Sequence, residues 1–214
     1  MDETQYKSMI HWNGNMCCGI DCETTGLDSH WHEIWQLSIL PLDSNFNIYK
    51  KIIPFSISMK PEFPERIDEE AKKINRQGIN DACIRGMDKH AAIDLLINWF
   101  DKLKLPFSKF HRQKQIIPLG QNYAFDMGFL IRWLGVELYG QLFHFHFRDT
   151  MTTAAFLNDL AGMRSEQIPY PKVNLKYLCN ILKVELDRRE GHDSLADIVA
   201  TVECYKKMMR YNLL

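Results

Sequence analysis

The sequence predicts an α/β fold, a mixed sheet of five short strands flanked by helices. Three observations predict it. Three apolar segments near the N-terminus are joined by short links rich in Gly, Asp, Ser and Asn. Short links of that composition favour an antiparallel meander. After Pro64 the texture turns helical, and the remaining strands alternate with helices without repeating a pure βαβ unit.

Met16–Cys22, "MCCGIDC", reads as a buried first strand, Glu33–Leu40 as a second and Asn47–Pro54 as a third. Glu65–Asn75 and Ile79–Cys83 read as short helices around Gly78. Across Asp88–Leu103, Ala92, Leu95, Leu96, Trp99, Phe100 and Leu103 recur with the helical period. Gln115–Leu119 reads as a strand whose Pro118 suits its end better than its middle. Ala124–Leu134 reads as a helix, His144–Phe147 as a fifth strand, and Thr150–Leu160, Asn174–Leu182 and Ser194–Tyr211 as helices.

The chain has 214 residues, which suits one domain over 1–214 with a core of its own. Six cysteines show neither C-x-x-C pairing nor dense spacing. The N-terminus has no apolar signal-peptide core, and no run approaches the ~20 apolar residues of a membrane span. These features predict a reduced, intracellular protein that makes no use of a membrane. The net charge of −1 argues against a dedicated duplex-binding protein, so contact with nucleic acid would be local.

The stretch "GIDCETTGLD" places Asp21 and Glu23 two residues apart at a strand end. Alternate strand positions share a face, and two rises of ~3.3 Å separate the Cα atoms by ~6.6 Å. Carboxylates that close repel one another unless a cation lies between them, and hard divalent cations take oxygen ligands. A solvated strand end is the ordinary reading of an isolated D-x-E. Here Thr24, Thr25 and Gly26 follow, then apolar Leu27, giving a turn that a phosphate or sugar can approach closely.

Two further acids stand at helix starts. In "PLGQNYAFDMGFL", Asn122 is a fair N-cap and Asp126 lies one turn in, with Phe125 and Phe129 placed to seat the helix. In "REGHDSLAD", Asp197 lies in the first turn of the last helix. His192 stands five residues earlier, ~500° away on a continuous helix, so it must sit on the preceding loop to face Asp197. An imidazole beside a carboxylate–metal centre suits deprotonation of water. The ordinary readings are an acid complementing a helix dipole and a surface histidine.

These residues resemble the motifs of the DnaQ-like 3′–5′ exonucleases of the ribonuclease H-like fold, a group that includes proofreading subunits, ribonuclease T and oligoribonuclease. D-x-E-T-T-G appears at Asp21–Gly26, N-x-x-F-D at Asn122–Asp126 and H-x4-D at His192–Asp197, in family order. Asp193 stands where a sister subclass has Tyr, which matches the His-containing DEDDh type. The resemblance implies two Mg²⁺ or Mn²⁺ ions. Asp21, Glu23 and Asp197 would hold one, Asp21 would bridge to the second, and Asp126 would reach that ion largely through water. It implies His192 as general base, and Thr24, Thr25, Gly26, Leu27, Asn122 and Phe125 against the nucleotide. The implied reaction releases 5′-mononucleotides from single-stranded 3′ ends of DNA or RNA. A stand-alone nuclease, a homodimer and a subunit of a larger complex all fit. The rival expectation is a non-catalytic nucleic-acid-binding or scaffold domain that keeps the fold.

Other features point elsewhere. His30/His32 and His144/His146 have zinc-like spacing but lack further ligands. Cys17 and Cys18 suit a core, and Asp149 suits a cap for the helix after it. Trp31 is the exposed aromatic best placed to stack a base. Basic clusters at 102–114 and at Lys172, Lys176, Lys183, Arg188 and Arg189 could guide a strand backbone.

Overall fold

The computed structural model describes residues 15–103, 115–186 and 193–210. A five-stranded sheet has the order β3-β2-β1-β4-β5. The strands are β1 (Met16–Thr24), β2 (Ile34–Pro41), β3 (Phe55–Ser58), β4 (Ile116–Gly120) and β5 (Arg148–Asp149). β1 to β3 are antiparallel neighbours, and β4 and β5 join parallel to β1. The described residues form seven helices: α1 (Glu69–Arg85), α2 (Lys89–Lys102), α3 (Tyr123–Leu134), α4 (Val136–Leu142), α5 (Thr150–Met163), α6 (Leu175–Leu182) and α7 (Ser194–Met209). The expected mixed sheet with an N-terminal meander is present, and the fold is ribonuclease H-like.

Strand alternation divides the core. Met16, Cys18, Ile20 and Cys22 face a cluster built with α2, α3 and α4. Cys17 faces the opposite side with Leu40, Leu42, Ile117 and Leu119, where α7 supplies Ile198, Val202 and Tyr205. Ser194, Asp197, Ile198, Thr201, Val202 and Tyr205 share a buried helical face. The next stripe of α7, Ala200, Cys204 and Met208, packs with α5 and α6.

Several expected elements move. The third strand is Phe55–Ser58, not Asn47–Pro54. Asp43 accepts from the N–H groups of Asn45 and Asn47, and Phe46 turns left-handed at φ 58°, so the chain is still reversing at Asn47. The fifth strand is Arg148–Asp149, not His144–Phe147. The His146 N–H donates to His144 Nδ1, a turn that takes this backbone out of the ladder. The two short helices around Gly78 are one helix, α1, with its break at Asn75 (φ −143°, ψ 62°). Helix α4 was not expected at all. Pro118 does lie inside β4, but β5 pairs only with Leu119 and Gly120, so its missing N–H breaks no bond to β5.

Asp149 caps α5 as expected, accepting from the Thr152 N–H at 2.8 Å. Its other oxygen accepts from the Tyr123 N–H at 2.6 Å and so caps α3 as well. Asn122 holds the N-cap position of α3 in a left-handed conformation (φ 59°), and its side chain makes no capping bond. Cys17 and Cys18 are core residues.

Candidate active site

The acids come together where β1 ends. Asp21 and Glu23 lie on the face of β1 covered by α7, and Asp197 enters from the first turn of that helix. Each of the three offers a carboxylate oxygen, and these oxygens lie within 4.8 Å of one another. Asp197 is buried, whereas Asp21 and Glu23 are half-buried.

Local structure explains the approach. Asp193 caps α7, accepting from the N–H groups of Leu195 and Ala196, and so fixes where the helix begins. The Ser194 hydroxyl lies 2.6 Å from that of Ser38 on β2, and the Ser194 N–H donates to Gln36 Oε1. One turn on, Ile198 packs directly over Gly19. Asp197 is thereby held over Asp21, two residues beyond Gly19 on the same strand face. A glycine inside an apolar strand is the one sequence signal of this close approach.

Asp126 approaches from the opposite face of the sheet. It is buried in the first turn of α3, and its Oδ1 accepts from the Cys22 N–H at 2.9 Å. The β1 backbone between Asp21 and Glu23 is therefore tied to Asp126. Burial pushes the Asp126 carboxyl up to about 8, against the Cys22 N–H, which draws it down. A buried carboxyl in such a place favours the neutral form until a cation compensates.

The Thr24–Gly26 turn is braced rather than loose. Thr24 Oγ1 donates to the Gly26 carbonyl at 2.7 Å. Thr25 is buried, and its Oγ1 accepts from the Glu33 N–H. The His32 ring lies where a side chain on Gly26 would point, and His32 Nδ1 accepts from the Asp28 N–H. Leu27 stands at the tip, 85% exposed. Asn122 is exposed, and Phe125 packs against Phe129 with ring centroids 4.9 Å apart. His192, Arg188, Arg189 and most of the 102–114 basic cluster lie outside the described residues.

The donor set fits a hard divalent cation. Two oxygens bound to one ion at about 2.1 Å lie at most about 4.2 Å apart. The observed cluster, within 4.8 Å, needs only a small contraction. Three carboxylates this close repel one another without a positive charge among them.

A model of the exonuclease family, of the ribonuclease T type, matches residues 18–205 and so takes in Asp21, Glu23, Asp126, His192 and Asp197. The chain belongs to the exonuclease family. The resemblance read from its motifs to the DnaQ-like exonucleases holds for the whole span. Among solved structures, this exonuclease-family chain is similar to the zinc-bound Escherichia coli exonuclease I–ssDNA complex, with a TM-score of 0.68 and 20% identity over 91% of this chain and 40% of that one. It is similar to exonuclease I from Methylocaldum szegediense, with a TM-score of 0.66 and 20% identity over 92% of this chain and 41% of that one. Cell-death related nuclease 4 gives 0.66 and 11% identity over 92% of this chain and 64% of that one. The chain spans about two-fifths of the length of the exonuclease I chains it matches. No curated protein sequence matches it. Among the described residues, no helix is long and apolar enough to cross a membrane.

Proposed function

We propose that residues 1–214 act as one divalent-metal-dependent 3′–5′ exonuclease domain of the DEDDh type. It would release 5′-mononucleotides from single-stranded 3′ ends of DNA, RNA or both. The observation that carries this reading is the convergence of Asp21, Glu23 and Asp197, with Asp126 bonded to the strand between the first two. The exonuclease I structures with single-stranded DNA and with dA16 and dT13 oligonucleotides support a single-stranded substrate.

Asp21, Glu23 and Asp197 would hold one Mg²⁺ or Mn²⁺, and Asp21 and Asp126 would serve a second. When bound, such ions would offset the negative charge that builds on the phosphate and its attacking and leaving oxygens. The rest falls to the chain. His192, the general base that the motif resemblance implies, would take the proton of the attacking water. The new bond joins water oxygen to phosphorus, the bond from phosphorus to the 3′ oxygen breaks, and the terminal nucleotide leaves with a 5′ phosphate. Leu27 is free to wedge against the terminal base, and Thr24, Gly26, Asn122 and Phe125 would surround that nucleotide. Thr25, being buried, would hold the turn in shape from behind.

The test is digestion of 3′- and 5′-labelled single-stranded DNA and RNA with Mg²⁺, Mn²⁺ or EDTA. Stepwise shortening from the 3′ end, blocked by EDTA, is expected. Binding without cleavage in every metal would replace this reading with that of a binding or scaffold domain. His192→Ala should lower the rate by several orders of magnitude with metal binding retained, and a near-wild-type rate would remove it as the base.

A further inference from the structure

Across the Thr25–His32 turn from the carboxylates lies a cleft of about 280 Å³. One wall is the His30–His32 end of that turn, with Trp31. A second is the 3₁₀ turn Pro64–Arg66 with Phe63, and helices α2 and α3 supply His90, Arg132 and Trp133. The motif chemistry uses none of these residues.

The lining combines flat aromatic surface with guanidinium charge. Trp31 is 52% exposed and Phe63 39% exposed. The Arg66 guanidinium carbon lies 4.3 Å from the Trp31 ring centre and 3.9 Å from that of Phe63. Three fixed cations, Arg66, Lys89 and Arg132, share the cleft with two carboxylates, Glu33 and Glu62. Glu33 is committed to Lys89 in a buried ion pair and also accepts from the Phe63 N–H. That leaves two arginines against Glu62, and neither makes an ion pair with any described residue.

The cleft is built on elements that also carry the acids. The turn whose far end walls it leaves β1 directly after Glu23 and Thr24 and has Leu27 at its tip. Along α3, Asp126 and Arg132 are six residues apart, ~9 Å along the helix axis. A strand with its 3′ end at the carboxylates can pass the Leu27 tip and enter this cleft. Aromatic faces accept any base by stacking, and guanidinium groups pair with phosphate oxygens.

We propose that this cleft is a second nucleotide subsite, holding the single strand upstream of its 3′ end. The open face of Trp31 stacks a base, and Arg66 and Arg132 hold the adjoining phosphates. The direction assigned to the strand rests on the exonuclease reading, whereas the binding surface does not.

The test starts with fluorescence anisotropy of a 5′-labelled oligothymidylate in EDTA, where no cleavage occurs. Trp31→Ala should weaken binding about tenfold, the scale of one stacked base. Arg132→Gln, at an exposed position, should weaken it and reduce the salt slope by about one. With Mg²⁺, both variants should raise KM for the oligonucleotide, with kcat unchanged, and leave kcat/KM for a dinucleotide at the wild-type value. Wild-type affinity in both variants, with cleavage intact, overturns the subsite and leaves the exonuclease reading standing. Weakened binding in a chain that cleaves nothing overturns only the exonuclease reading. If Trp31→Ala weakens a 5′-mononucleotide as much as the oligonucleotide, the cleft binds free nucleotide and the strand assignment is wrong.

Discussion

A Cβ atom on Gly19 would collide with the Cγ2 methyl of Ile198 and stand 3.2 Å from that of Val202. Helix α7 therefore lies on β1 as closely as a side-chain-free position allows. Asp197 precedes Ile198, and Asp21 follows Gly19 on the same strand face. One missing side chain thus sets the distance between two carboxylates of the cluster. Gly19→Ala should lift α7, cost about 1–3 kcal/mol by overpacking and weaken divalent-metal binding disproportionately. Denaturant titration and Mn²⁺ titration of the same preparation would show it. Wild-type metal affinity in a destabilised variant would mean that α7 has another way to hold Asp197.

The carboxylate cluster should be a liability without metal. Asp21→Asn and Asp197→Asn should abolish cleavage yet match or exceed the wild-type melting temperature in EDTA, because like charges are removed. Added Mg²⁺ should raise the melting temperature of wild type, because binding favours the folded state, and should raise it little in either variant. A substantial residual rate with Mg²⁺ in either variant would count against the metal-cage assignment.

Asp126 predicts a pH dependence of stability. Its carboxyl is raised from an ordinary 3.8 to about 8, so between these values the folded, metal-free protein holds a proton that the unfolded chain releases. The associated stability is present at about pH 4, falls as pH rises and is gone above about pH 8. Asp126→Asn should flatten that fall. Melting temperatures across this range in EDTA decide it, and an unchanged slope would place the pH dependence in another group.

Asp149 carries no expected chemistry but caps two helices at once. Asp149→Ala should cost about 2–4 kcal/mol, two caps and a buried donor left unpaired. Because one of those caps fixes the start of α3, four residues into which Asp126 lies, the variant should also lose activity at temperatures where it remains folded. Chemical denaturation and rate measured on one sample would separate the two effects. Full activity in the destabilised variant would show that α3 keeps its register without the cap.

The sequence by itself determined a mixed sheet that begins as a meander, and it singled out the acids of the candidate site; that β4 and β5 run parallel to β1 came only with the structure. Those signals are local: an apolar run, a turn composition, a helical period, a spacing of two along a strand. It also determined that Asp21 and Glu23 share a face, because strand alternation admits no other result. Where two local readings competed, contacts distant in the chain decided. Asn47–Pro54 is as apolar as a strand, but Phe55–Ser58 is the segment in register with β2. "FHFHF" alternates like a strand, but the His146–His144 bond turns it away and leaves pairing to Arg148 and Asp149. Tertiary structure alone brought Asp197 to the β1 acids, through Gly19 and the Ser38–Ser194 contact, across more than 150 residues. It alone tied Asp126 to the Cys22 N–H from the other face of the sheet, and assembled Trp31, Phe63, Arg66 and Arg132 into one cleft. Spacing reports which residues face together within one element. Which elements meet is settled by packing between them, and a linear pattern carries almost no record of that.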